Sequence, residues 1–465
     1  MKSNKIFFSI FIILTVVLAG SCKKDFFTKV NVNPNVPKEV APNLILPTAE
    51  AALAYTQGGD ISRFTSLITQ QVFGANSQSQ TYYSYGLNPG TFDNLWPDLY
   101  TSVIENNATL MQISDNGKYN IYSGISRILM AYTLQVAVDQ FGKIPYSEAA
   151  KGNLAGGSLT PKYDDDKALY DTITGLIDKG IVFLNNTDAG AITPGGDDVI
   201  YGGNAALWIK FGHAIKARLY IHQSKGNSTM ANNALTEIAA SFTGTSDNAQ
   251  YTWFSSETAA NPWYQFNRDR PGYVTFTNSP FSDLLTSLAD PRYNIFFDKA
   301  NDGLGQNKNH YGGLAEYYGA IDAPTEFITY DELLFMKAEA TVTGKNDIPS
   351  AQTIYQNAIR TNMQKLGVSS TDISTYISAN GTLPATNAAA ISKIASQEFI
   401  ALFLNPEAWT TWRRTNSPSL TPVSGTNGVP RRLEYPQSEY SYNTANVPVP
   451  ANNNTLFTPK IFWDN

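Results

Sequence analysis

The chain has 465 residues, a formal net charge of −6, 15% charged residues and 12% aromatic residues. That balance excludes the basic stripe that nucleic-acid binding requires, and a single cysteine excludes an intramolecular disulfide. Stability must come from a core, which a chain of this length can build by burying roughly three quarters of its unfolded surface. The 26 Tyr, 24 Phe and 7 Trp are mostly core material, yet an aromatic, amide-rich and weakly charged chain also suits neutral polar ligands such as sugars.

At the N-terminus, Lys2 and Lys5 precede an apolar run from Ile6 to Leu18. The run is shorter than the roughly 20 residues a spanning helix needs, so it is expected to be an export signal. Ala19, Gly20 and Ser21 lead into Cys22, the sole cysteine. This arrangement resembles a bacterial lipobox, although Leu18 stands four places before the cysteine and Ala19 occupies the usual leucine position. The resemblance implies cleavage after residue 21 and lipidation of Cys22, and two or three acyl chains anchor firmly where one does not. Residues 22–40 then form the lipidated N-terminus and a polar tether rich in Asn and Pro, and residues 41–465 form a single domain.

Helical periodicity dominates the domain. Ile121, Ile125, Ile128, Leu129, Tyr132 and Val136 share one face, as do Trp208, Phe211, Ile215 and Leu219. Asp164, Asp165 and Asp166 precede a helix over Ala168 to Leu184 and fit an N-cap, with calcium binding as the alternative. A further pair covers Glu332 to Val342 and Ser350 to Leu366, with a turn expected around Gly344 and Pro349. Ala351, Tyr355 and Ala358 have the small, large, small spacing of a tetratricopeptide second helix, and such hairpins bury their faces only by stacking. Residues 243–328 lose the helical signal and form a long irregular stretch of the kind that is usually functional. A last helix is expected over 388–404. Beyond it, Trp409, Trp412, Arg413 and Arg414 are expected to fasten the C-terminal segment to the scaffold.

Searching for chemistry yields little. His213 and His222 lie nine residues apart on one helix, hence on opposite faces, and His310 stands apart, so no metal site is expected. No phosphate loop or nucleophile elbow is present. For a sugar, the ligand candidates are two aromatic clusters. Tyr82, Tyr83 and Tyr85, with Gln78 and Gln80, form the first, read as an extended segment in which adjacent tyrosines point oppositely. Trp253, Trp263, Tyr264, Asn267 and Arg268 form the second, and Tyr317 and Tyr318 could add a third wall.

A set of segments occurring in order carries a family resemblance. They are Cys-Lys-Lys-Asp-Phe-Phe at 22–27, Pro-Gly-Thr-Phe-Asp-Asn-Leu-Trp at 89–96, and Asp-Gln-Phe-Gly-Lys-Ile-Pro-Tyr-Ser-Glu-Ala at 139–149. The helix at 206–219, Asp-Pro-Arg at 290–292 and the Asp-Glu-Leu-Leu-Phe-Met-Lys-Ala-Glu-Ala helix ending at 340 follow. Glu-Ala-Trp-Thr-Thr-Trp-Arg-Arg at 407–414 and Arg-Arg-Leu-Glu-Tyr-Pro at 431–436 complete the set. Together they resemble the SusD/RagB lipoproteins over nearly all of the chain beyond the signal. The resemblance implies a mostly α fold of four degenerate tetratricopeptide-like hairpins with an irregular ligand-binding region. It also implies an outer-membrane lipoprotein facing the cell exterior, which captures an oligosaccharide or polysaccharide for a SusC-like TonB-dependent transporter, without cofactor or catalysis. Two alternatives stay open: the same scaffold taking peptides or another nutrient, and a lipid-anchored glycoside hydrolase, which would need two converging carboxylates.

Overall fold

A computed structural model describes residues 40–464, apart from 153–156, 187, 189, 304–305, 308–309, 424, 427 and 453. The expected export signal, Cys22 and most of the tether lie outside the described residues. From Pro42 onward the chain is one unit and mainly helical. Its longer helices are α1 (Pro42–Thr56), α2 (Ser62–Ile68), α3 (Ser77–Tyr83), α4 (Glu105–Ser114), α5 (Asn120–Phe141), α6 (Asp166–Leu184) and α7 (Ala205–His222). They continue as α8 (Ser228–Ala239), α9 (Pro262–Asp269), α10 (Tyr330–Lys345), α11 (Ile348–Lys365), α12 (Ser370–Asn380), α13 (Asn387–Ala401) and α14 (Glu407–Thr415).

Among the consecutive helices that pack together are the pairs α5 with α6, α7 with α8, α10 with α11, and α13 with α14. The pairs stack through contacts of α6 with α7, α8 with α10, and α10 with α13. Helix α5 is long and apolar enough to cross a membrane, yet every residue of it is buried in the core, so burial within the protein accounts for its composition. Its approach to α6 depends on two glycines: a Cβ on Gly124 would lie 2.9 Å from the Gly180 carbonyl and 2.5 Å from Leu184 Cγ. Only hydrogen side chains let the two backbones come this close.

Local sequence sets the helix ends. Asp165 caps α6, its carboxylate accepting from the backbone N–H groups of Lys167 and Ala168 at 3.1 and 3.3 Å. Its neighbours serve other partners: Asp164 accepts from the N–H groups of Tyr146 and Ser147, and Asp166 from that of Phe462. Between α10 and α11 the turn falls later than expected. Gly344 remains helical, Asn346 ends α10 at φ 55°, and Asp347 caps α11 by accepting from Ser350 N–H. Pro349 sits in the first turn of α11, where its missing N–H is not needed. Ala351, Tyr355 and Ala358 are fully buried, with Tyr355 packing on Phe335 of α10, as the tetratricopeptide spacing implies.

Three buried arginines tie the helix pairs together. Arg218 of α7 pairs with Glu332 of α10 at 2.6 Å, and Arg414 of α14 with Glu339 of α10 at 2.7 Å. Arg292 pairs with Asp290 at 2.6 Å and also donates to Asn362 of α11 and Gln397 of α13. At the C-terminus, Arg413 lies between two indoles, 4.0 Å above Trp409 and 4.8 Å from Trp463, and Arg431 stacks on Trp412 at 4.9 Å. Trp409, Trp412 and Arg413 thus fasten the C-terminal segment as expected, whereas Arg414 serves the interior of the helix stack.

The irregular stretch 243–328 is less irregular than its composition suggests. It contains α9, a second eight-residue helix at Pro280–Ser287, and two-stranded antiparallel pairs. Strand β1 (Phe73–Gly74) pairs with β3 (Val274–Thr275), which ties the middle of the stretch to the segment after α2, and β2 (Ala249–Tyr251) pairs with β4 (Thr325–Ile328), which closes the two ends of the stretch on each other.

A candidate ligand-binding cleft

A cleft of about 360 Å³ opens where five short segments converge. The first comes from the end of α1 and the start of α2, which are joined by a π-helical turn at Gln57–Ile61. A second π-helical segment, Asp98–Ile104, contributes through Asp98. Such wide turns are uncommon and recur at functional sites because they push side chains out of the regular helical array. Helix α3 contributes Gln78 and Tyr82, the Pro-Gly-Thr-Phe-Asp-Asn stretch contributes Thr91 and Asn94, and α9 with its C-terminal residue contributes Gln265, Phe266, Asp269 and Arg270.

The lining combines flat rings with hydrogen-bonding groups. Tyr82 is half-buried, its ring edge-to-face with Phe64 at 5.2 Å. Gln78 and Asn94 make no side-chain hydrogen bond among the described residues, so each amide keeps both a donor and an acceptor for a ligand. Arg63 is paired with Asp60 and lies 4.6 Å over the Phe266 ring; Arg270 approaches the same ring at 5.6 Å. The Asp98 carboxylate has no hydrogen-bond or ion-pair partner among the described residues. Burial and, secondarily, the Asp60 charge push its carboxyl above the ordinary range. Asp269 is held below that range by its hydrogen bond from Arg268.

Of the aromatic and polar residues singled out in the sequence, Tyr82 and Gln78 line this cleft. Tyr82 and Tyr83 belong to a helix, not to an extended segment, because Asn76 caps α3 and Gly74 admits the helix against β1. Tyr83 turns to pack on Phe73 at 4.8 Å. Tyr85 is buried, its hydroxyl accepting from Gln70 at 3.0 Å. Trp263 is buried among Phe266 and Phe276, and its indole donates to Ser62 at 2.9 Å. Trp253 is buried too, donating to Thr325 at 2.9 Å and bracing the cleft residue Tyr55 edge-on at 6.4 Å. Neither indole offers an open face for a sugar to stack on.

Tyr264 is buried and donates to Glu257 at 2.8 Å, Asn267 is buried beside Gly312, and Arg268 is committed to Glu257 and Asp269. Tyr317 and Tyr318 join the Phe296 and Phe403 cluster and the Glu326 carboxylate. These residues build the floor and supports from which α9 and the adjoining loops are held. The missed cleft residues Asp60, Asp98 and Arg270 carried no aromatic signal. The π-helical turns that present the two aspartates are not legible from periodicity.

The chain matches the SusD-like family described as "Starch-binding associating with outer membrane" over residues 34–436. It belongs to the SusD-like family. A SusD/RagB family protein from Bacteroides thetaiotaomicron VPI-5482 superposes with a TM-score of 0.74 at 23% identity, covering 92% of this chain and 99% of that one. A SusD-like protein described as Bacteroidetes AC2a gives a TM-score of 0.76 at 20% identity, with 92% and 100% coverage. A chitin-binding SusD homolog from Flavobacterium johnsoniae gives 0.71 at 20% identity, with 91% and 99% coverage. At these identities the likeness concerns the fold. No curated protein matches the chain.

Within this SusD-like frame the histidines are accounted for. His213 pairs with Glu237 at 2.6 Å and His310 with Asp298 at 3.1 Å. His222 falls in a buried trio with Asp139 and Glu407, whose ligand atoms lie within 4.8 Å of one another. Sequence spacing missed this trio because its members come from α5, α7 and α14. Both imidazole nitrogens are engaged, Nδ1 with the Tyr170 hydroxyl at 2.8 Å and Nε2 with Glu407 at 2.7 Å, and they face opposite edges of the ring. A cation replacing one of these bonds would have the other carboxylate on the far side of the imidazole. Burial pushes His222 down to about 3, which favours the neutral ring as a hydrogen-bonding link.

Proposed function

We propose that this chain is a lipid-anchored, outward-facing outer-membrane protein that captures an oligosaccharide or polysaccharide and passes it to a SusC-like TonB-dependent transporter. The observation that carries the reading is the cleft itself. Tyr82, Gln78 and Asn94 set an aromatic ring beside two amides that have no other side-chain partners, which is what binding a neutral polyol requires. A starch-binding family description and a chitin-binding homolog support a glycan as the ligand class. The Lys2 to Cys22 segment supports export and lipidation. In this reading the protein binds without cleaving, which is supported by the cleft carboxylates: Asp60 is tied to Arg63 and Asp269 to Arg268, so Asp98 has no second free carboxylate with which to form a hydrolytic pair.

Calorimetry with a panel of soluble glycans, with peptides as a parallel set and product analysis on each ligand bound, tests the reading. Glycan binding that weakens in Tyr82→Ala with no released product is the expected outcome. Binding confined to peptides would move the protein to another nutrient, and released sugar would make it a hydrolase. Incorporation of labelled fatty acid that stops in Cys22→Ala, and co-purification with a TonB-dependent transporter, test the anchor and the partner.

A further inference from the structure

Among the cleft's charged groups, one carboxylate stands without a protein partner. The first wall presents Asp60 and Arg63, which neutralise each other, with Arg63 also spread over the Phe266 ring. The α9 wall presents Asp269, already bound by Arg268, and Arg270, whose guanidinium lies toward the Phe266 face. Asp98 enters from the second π-helical segment, half-buried, its carboxylate near Asp60 and without a hydrogen bond or ion pair to any described residue. A half-buried carboxylate without a pairing cation is an unfavourable arrangement, and a cation seated there relieves it. Gln78 and Asn94 complete the lining with unengaged amides.

We propose that Asp98 forms an ammonium-selective subsite, so that the cleft prefers a glycan carrying free amino groups, an unacetylated hexosamine, over its N-acetylated or neutral counterpart. This rests on the glycan reading above and names the substrate class for the same site. The Tyr82 ring and the amides serve the pyranose and its hydroxyls, while the amine donates to the Asp98 carboxylate in a charge-assisted hydrogen bond.

The test is calorimetry on the lipid-free mature chain with three hexasaccharides of matched linkage. One is a β-1,4-glucosamine oligomer, the second its N-acetylated form, the third the glucose analogue. The amine form is expected to bind about tenfold more tightly than the other two in mildly acid buffer. That advantage should disappear in Asp98→Asn, whose affinity for the amine form should fall to its affinity for the acetylated form. Equal affinities for the three sugars, or a preference that survives in Asp98→Asn, overturn the inference and leave the glycan reading standing. Binding of peptides only, or of no sugar at all, overturns both.

Discussion

Arg218 and Glu332 meet by two nitrogens and two oxygens in the dry centre of the helix stack, at 2.6 to 2.8 Å, joining α7 to α10. Fork-to-fork geometry of this kind is what makes a buried pair tolerable, because it satisfies several donors and acceptors at once. Removing one member leaves the other charged and unpaired, so Arg218→Met should cost about 3–5 kcal/mol in chemical denaturation. The double replacement Arg218→Met with Glu332→Leu should recover most of that loss. A single-variant cost below about 1 kcal/mol would show that the pair does not hold the stack.

Tyr82 and Trp263 separate binding from support. Tyr82 lines the cleft half-exposed, so Tyr82→Ala should weaken glycan binding about tenfold and leave thermal stability within a few degrees. Trp263 is a buried residue of α9, so Trp263→Ala should cost about 3–5 kcal/mol and lose binding only as far as the cleft loosens. Parallel calorimetry and melting curves on both variants check the division. An unchanged melting curve for Trp263→Ala would refute it.

Gly124 is the contact point of α5 and α6. Alanine there places a methyl carbon against the Gly180 carbonyl and Leu184, so the helices must separate, at about 1–3 kcal/mol. Gly175, on α6 with open space around it, is the control: Gly175→Ala should stabilise by a few tenths to 1 kcal/mol through helix propensity. Urea midpoints that move in the same direction for both variants would contradict the close approach.

Glu434 predicts the sign of a pH effect. Both its carboxyl oxygens are buried without a hydrogen-bond partner, and burial pushes it up to about 7 despite the nearby Arg432. The folded state therefore keeps a proton that the unfolded chain gives up near 4.5. The stabilisation is full below about 4.5 and is lost as the pH rises through 7. Glu434→Gln removes this term, so its stability advantage over the wild type should grow by up to about 3 kcal/mol between pH 4.5 and pH 8. Parallel stability curves for the two proteins would dismiss the assignment.

The sequence by itself determined the helical class, the positions of the main helices and the family. Those rest on local or ordered features: the apolar period of α5 and α7, the Asp165 cap, the Ala351, Tyr355 and Ala358 spacing, and the run of segments from Pro89 to Pro436. It also located Tyr82 and Gln78, since an aromatic-rich stretch before a capped turn is visible in one dimension. What the sequence could not settle was which aromatic rings face outward. Trp253, Trp263 and Tyr264 have the composition of a sugar platform, yet each polar atom is claimed by a residue distant in sequence or by a neighbouring loop: Thr325, Ser62 and Glu257. The cleft's charges came together only in three dimensions. Asp60, Asp98 and Arg270 lie on separate segments, two of them on π-helical turns, and their convergence depends on long-range packing that no local pattern encodes. For the same reason Asp139, His222 and Glu407 meet only when α5, α7 and α14 are stacked. Periodicity reports which face of an element is apolar; tertiary packing decides which polar groups remain unpaired and therefore available to a ligand.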